Sequence, residues 1–235
     1  MRESERDVML FLLAISAGSA DGWSYFGLGH AFVANMTGNT ILAGIAVFQQ
    51  GHHIEHTLLS IGCYVLGVAA ASFLTRNVRT GAVWARAISR TLLLEAFIMA
   101  SAAIAWVVIH LRQPHSAPHL FTLLLACVAF AIGLQSGAML QLNIPGIVTT
   151  YITGTWTSLT SGLIHFVSRS EQRSPRQRLN FEERLLMQTA VLAAYFLAAV
   201  LTGWCFRFQP LAVGALSAGC VCAVAVYATL RAATA

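Results

Sequence analysis

The chain of 235 residues has no lysine; all fourteen basic residues are arginine. Charge of either sign is scarce, at 10% of residues, where a soluble domain carries about 25%. The net charge of +5 lies in a few short segments, which excludes a continuous basic face and so a nucleic-acid partner. The five cysteines (Cys63, Cys127, Cys205, Cys220 and Cys222) all sit inside apolar runs and make no CxxC pair. That excludes a disulfide framework or a zinc site, since cysteine in such places behaves as a small hydrophobe. No phosphate-binding loop, GxSxG or HExxH occurs, so the common enzyme signatures and their cofactors are missing. The expectation is no enzyme, no cofactor and no resident metal.

What is present is hydrophobic length. Apolar residues make up 57% of the chain and gather into eight stretches: 8–28, 31–48, 57–74, 91–111, 119–142, 147–167, 185–206 and 211–230. They lack the alternation of barrel strands and approach the 20 or so residues of helix that cross a hydrocarbon core of roughly 30 Å. The leader mixes Arg2 and Arg6 with Glu3, Glu5 and Asp7. It lacks the positive bias of a signal peptide, so the first stretch reads as a retained span. The class is an all-α polytopic membrane protein.

Arginine placement selects a topology. Arg76, Arg79, Arg86 and Arg90 fall between the third and fourth stretches, and Arg169, Arg173, Arg176, Arg178 and Arg184 between the sixth and seventh. Eight crossings would divide the arginines nine against five. Six crossings, with the second and sixth stretches re-entrant, put twelve on one side and leave Arg112 and Arg207 on the other. The positive-inside rule favours the six-crossing arrangement, with both termini cytoplasmic. Re-entrant backbone is tolerated only where protein buries it or a wet cavity faces it.

The second and sixth stretches hold the polar motifs, and these repeat. Gly18-Ser-Ala-Asp-Gly22 matches Gly133-Leu-Gln-Ser-Gly137, and Thr37-Gly38-Asn39 matches Thr153-Gly154-Thr155. The chain divides into halves 1–118 and 119–235 of one integral membrane domain. Each half crosses three times, so the halves are expected to form an inverted 3+3 repeat, a recurring transporter design. The GxxxG pairs suit close helix packing, between the halves or in a homodimer.

The expected substrate site gathers Asp21, Asn35, Thr37, Gly38, Asn39, Gln135, Ser136, Thr153, Gly154 and Thr155. Two helix starts at membrane depth would offer free N–H groups and positive dipole ends to a small polar or anionic solute. Thr and Asn are expected as caps. Asp21 reads either as a proton-coupling carboxylate or as a cap for the segment that follows. Glu95 reads as a packing or interfacial residue near the inner face. Pro145-Gly146 would turn the chain into the second re-entrant stretch. His52 and His56 have the i, i+4 spacing that can hold a metal, although solvated loop histidines are the plainer reading. The leading function is a secondary transporter or channel-like permease. The alternatives are a non-transporting scaffold, sensor or subunit and, last, an intramembrane enzyme.

The run AGSADGWSYFGLGHAFVANMTGNT, with GLQSGAMLQLNIPGIVTTYITGT later, resembles the YoaK family of bacterial membrane proteins, whose domain has no assigned function. Asp21 and Met36-Thr37-Gly38-Asn39-Thr40 carry the first match. Gly133, Gln135, Thr149, Thr150, Tyr151, Thr153, Gly154 and Thr155 carry the second. The chain departs at Ser136, where the family pattern usually has Asn. The resemblance implies a bacterial inner-membrane protein of about six or seven helices, and it implies no substrate.

Overall fold

A computed structural model describes residues 3–48, 53–78, 84–112, 118–142, 152–168 and 175–233. Pro145, Gly146, Thr149, Thr150, Tyr151, His52, His115, Arg79, Arg169 and Arg173 lie outside the described residues. The described chain is helical: α1 (Glu3–Gly27), α2 (Met36–Ala46), α3 (His53–Thr75), α4 (Arg86–Arg112), α5 (Pro118–Leu140), α6 (Ile152–Ser168), α7 (Pro175–Phe208) and α8 (Ala215–Ala233), with a 3₁₀ turn at Pro210–Ala212 before α8.

Among the described residues five segments are long and apolar enough to cross a membrane: Ile54–Thr75, Arg86–Arg112, Pro118–Leu140, Phe181–Phe208 and Pro210–Arg231. Helix α1 has 25 residues, length enough to span, but Ser16, Ser19, Asp21 and Ser24 lower its apolar character. Helix α2 has 11 residues and is about 16 Å long at 1.5 Å per residue, far too short to cross. Helix α6 has 17 and reaches about 25 Å. Helix α2 begins five residues later than its apolar stretch. Arg86 and Arg90 lie in the first turns of α4 rather than in a loop, and Arg176, Arg178 and Arg184 lie on α7, which opens on Pro175. Proline suits a first helical position, where its missing N–H has no intrahelical partner to lose.

Helix α1 packs on α7 and α5 on α3; α1 also meets α8, and α5 meets α4. Helix α4 packs on α8, α2 on α3, and α6 on α7. Exchanging each of the first four helices with the one four places later returns this same set of pairings. The α3–α4 contact is the exception, with no counterpart among the more extensive helix contacts of the described residues. The glycine pairs explain the two tightest seams. A Cβ on Gly18 would strike the Tyr195 carbonyl, and one on Gly22 would lie 3.0 Å from Thr202 Cβ. On the other seam, a Cβ on Gly133 would strike the Tyr64 carbonyl, and one on Gly137 would lie 2.7 Å from Ala71 Cβ. Backbones approach closely only where these side chains are absent.

Polar side chains join the same helices. Ser16 and Ser217 exchange bonds between α1 and α8, with Ser217 Oγ donating to the Ser16 carbonyl at 2.9 Å. Thr202 Oγ1 donates to Ser19 Oγ at 2.8 Å. At one end of the bundle Trp23 and Trp106 meet edge to face, and Trp106 Nε1 donates to the Pro210 carbonyl at 2.7 Å. Arg231 pairs with Glu5 at 2.6 Å, so the start of α1 and the end of α8 share one end of the bundle.

Candidate functional site

The break between α1 and α2 is built from its side chains outward. Helix α1 stops at Gly27, and the chain reverses through Gly29 (φ 117°) and His30 (φ 57°). Gly29 is needed twice over: for the left-handed backbone, and because a Cβ would lie 2.6 Å from His56 Nδ1. Residues 31–35 then run back along α1 without helical bonding, so their N–H groups need partners. Asp21 supplies them. Its Oδ1 accepts from Val33 N and Ala34 N, both at 2.7 Å, and from Asn35 N at 3.4 Å. Its Oδ2 accepts from the Tyr195 hydroxyl on α7. The carboxyl is 4% exposed.

Asn39, fully buried, does the same from the other side. Its Oδ1 accepts from Phe32 N at 2.8 Å, and its Nδ2 donates to the Phe32 carbonyl at 2.7 Å. Ser60 of α3 donates to that carbonyl as well, at 2.5 Å. The cap of α2 is Asn35, whose Oδ1 accepts from Gly38 N at 3.0 Å. Thr37 and Asn39, expected as caps, lie within the first turn of the helix. Gly38 is explained by Asn35: a Cβ would lie 2.9 Å from Asn35 Nδ2.

A cavity of about 210 Å³ opens between the starts of α2 and α6, lined by Ala34, Asn35, Met36, Thr37, Ile152, Thr153, Gly154, Tyr64 and Tyr195. No charged side chain lines it among the described residues. Four of the ten expected site residues are on its wall: Asn35, Thr37, Thr153 and Gly154. Asp21 is not; it reaches the wall through Tyr195. Gly38 and Asn39 hold the α2 turn behind the wall, and Thr155 is buried, as Asn39 is at the matching place. Gln135 and Ser136 lie elsewhere. Both are fully buried; Gln135 Nε2 donates to the Leu13 carbonyl of α1 at 3.2 Å, and Ser136 Oγ donates to the Ile132 carbonyl of its own helix at 2.9 Å. Expected to line the site beside Asp21, they are not among the described residues of this cavity wall, and the two bonds join α5 to α1 and brace α5 itself.

Tyr64 and Tyr195 were missing from the expected site. Tyr195, Ala199 and Thr202 back onto Gly18 and Gly22, just as Tyr64, Val68 and Ala71 back onto Gly133 and Gly137, at a constant separation of 131 positions. Tyr64-Val-Leu-Gly and Tyr195-Phe-Leu-Ala share that spacing and a Tyr-x-Leu start, a signal too short to find without the glycine seams. Glu95, expected near the inner face, is fully buried on α4. His56 Nε2 lies 3.2 Å from Thr122 Oγ1, and no three His, Cys, Asp or Glu converge on a metal-sized site among the described residues.

A family model described as "Protein of unknown function (DUF1275)" matches residues 9–228, from the second turn of α1 nearly to the end of α8. The chain belongs to this family. The DUF1275 match covers both helix starts, both tyrosines and both glycine seams. The chain is also 30% identical over 205 residues to the "UPF0700 transmembrane protein YoaK" of Bacillus subtilis (strain 168), covering 83% of this chain and 82% of that protein. No solved structure matches. With its several membrane-length helices, this DUF1275 protein is a multi-pass membrane protein.

Proposed function

We propose that the protein is a permease for a small polar solute, working without catalysis, and that its two halves form an inverted repeat. The carrying observation is the uncharged cavity between two helix starts, flanked by a tyrosine from each half. The helix pairings that survive exchange of the halves support the repeat. The arginine bias supports a bacterial inner-membrane orientation with both termini cytoplasmic, and the Arg231–Glu5 pair at one end of the bundle agrees with an even number of crossings.

The cavity narrows the solute class. A helix start attracts an anion through its free N–H groups, but at α2 the protein supplies its own. The N–H groups of Val33, Ala34 and Asn35 are held by Asp21, and that of Gly38 by Asn35. What the wall presents besides are the Thr37 and Thr153 side chains, the Asn35 amide and the rings of Tyr64 and Tyr195. These suit a neutral solute bearing hydroxyl, carbonyl or amide groups better than a free anion.

Proteoliposome uptake of a panel of small polyols, amides and carboxylates tests this. At least one neutral member should enter, and Thr37→Leu and Gly154→Leu should each reduce its flux at least tenfold by filling the cavity. Wild-type flux in both variants overturns the reading. Thiol labelling tests the topology: cysteines placed at Phe48 and at Asn77 should react from opposite sides. The saturation of Asp21 and Asn39 favours one other reading, an interrupted helix kept for packing in a non-transporting membrane scaffold. Absence of flux across the whole panel would select it.

A further inference from the structure

The protein contains a second buried acid, and it is treated in the opposite way to the first. Glu95 lies on α4 and is 0% exposed. Neither Oε1 nor Oε2 has a hydrogen-bond partner among the described residues. Its own helix surrounds it with buried Leu92, Ala96 and Met99. Of the helices packed on α4, only α8 brings a titratable group to face it, Cys222, whose Sγ lies 3.9 Å from the Ala96 carbonyl. No titratable or charged group from α3, from α5 or from the 3₁₀ turn faces it among the described residues.

A carboxylate so placed would be a bare charge in an apolar medium, which is too costly to persist without a partner. A resident anion in this protein looks different: Asp21 has four donors. An ionisable residue at depth on a membrane helix, facing the bundle interior, marks a functional position. Glu95 also sits on the seam between α4 and α8, the pairing that joins the equivalent helices of the two halves. Movement of one half against the other must open or close that seam.

We propose that Glu95 is a proton-binding site, occupied in this closed arrangement and emptied when the α4–α8 seam admits water. The proton leaves the carboxyl oxygen for that water, and the carboxylate is hydrated in the open arrangement. The site stands on its own; its use as the coupling-ion site rests on the transport reading above.

Infrared spectroscopy of the purified protein in detergent at neutral pH tests the site directly. A protonated-carboxyl C=O band, shifted on deuteration, should be present in the wild type and absent in Glu95→Gln. Glu95→Leu should unfold at the same temperature as the wild type or higher, because a carboxyl with no partner adds nothing that leucine removes. A wild-type spectrum in Glu95→Gln overturns the proposal. So does a lower unfolding temperature in both variants, which would reveal a structural partner. In proteoliposomes, Glu95→Gln should abolish the stimulation of uptake by a proton gradient while leaving solute exchange at equal pH within twofold. If the band is present but nothing is transported, the proton site survives and the permease reading fails. If transport occurs without the band, the reverse holds.

Discussion

Helices α1 and α5 carry the same glycine pair and meet the same kind of surface, a tyrosine followed by small residues on α7 or α3, yet they treat it differently. On α1 the position before the second glycine is Asp21, which takes the Tyr195 hydroxyl and three backbone N–H groups. On α5 it is Ser136, whose hydroxyl donates to the Ile132 carbonyl of its own helix. The close packing of the two seams therefore does not require the acid. What Asp21 does is local: it holds residues 31–35 along α1, and through Tyr195 it fixes one wall of the cavity. In the first half a buried carboxyl gathers the backbone of the break; at the matching place of the second half stands a hydroxyl that donates within its helix.

The sharpest way to break this comparison is to remove the two residues separately. Asp21→Ala leaves the buried Val33 and Ala34 N–H groups without an acceptor, at about 1–3 kcal/mol each, so a loss of at least about 2 kcal/mol is expected. Ser136→Ala removes the hydroxyl that donates to the Ile132 carbonyl and, with a single side-chain oxygen lost, should cost less than Asp21→Ala, about 1 kcal/mol. Denaturant or thermal unfolding in detergent measures both. Equal losses would mean that the acid is not the tether.

The glycine seams should respond alike. Gly18→Ala and Gly133→Ala each push a methyl into the carbonyl of a tyrosine on the facing helix, and overpacking of this kind costs about 1–3 kcal/mol. Matching unfolding shifts are expected. If only one variant is destabilised, the seams are not equivalent and the repeat loses its structural support.

Much of the fold was legible because membrane helices announce themselves by length and composition. The eight apolar stretches became eight helices, and the repeat at Gly18/Gly133 marked the residues where backbones touch. The helix starts were displaced, because an apolar run such as 31–35 can be extended when a buried carboxylate and an asparagine satisfy its backbone. Hydrophobicity does not distinguish that from helix. The cavity was half legible. Thr37, Gly154 and their neighbours stood out as polar residues in apolar surroundings, whereas Tyr64 and Tyr195 belong naturally in apolar runs and gave no contrast. Gln135 stood out for the same reason as Thr37, but its contrast came from a helix–helix bond to Leu13.

A smaller effect separates the two tyrosines. Tyr195→Phe removes the hydroxyl that Asp21 Oδ2 accepts while keeping the ring, and should cost about 1–2 kcal/mol, within the range for hydrogen bonds at membrane depth and to charged groups. Tyr64→Phe, with no acid at the matching place, should cost less. Both should change solute flux, since both rings line the cavity. Unfolding and flux measured on the same variants thus separate the Asp21 tether from the wall: Tyr195 belongs to both, and Tyr64 lines the wall without meeting Asp21.

The smallest effect is expected on the outer face of α2. Gly44 has nothing within 4 Å of where a Cβ would stand, unlike Gly38 two turns earlier. Gly44→Ala should therefore stabilise the helix by up to about 1 kcal/mol through reduced backbone entropy and leave flux unchanged. Gly38→Ala should displace the Asn35 cap and lower both. Ile41 and Ile45 on the same short helix, and Val47 and Phe48 just past its end, are exposed, a surface that faces lipid in a monomer and a second copy in a homodimer. Gly44→Ala distinguishes these through size-exclusion with light scattering in detergent. An unchanged mass places the face against lipid. A halved mass would place Gly44 at a close helix contact between copies, and α2 would then owe its position to the partner as well as to Asp21.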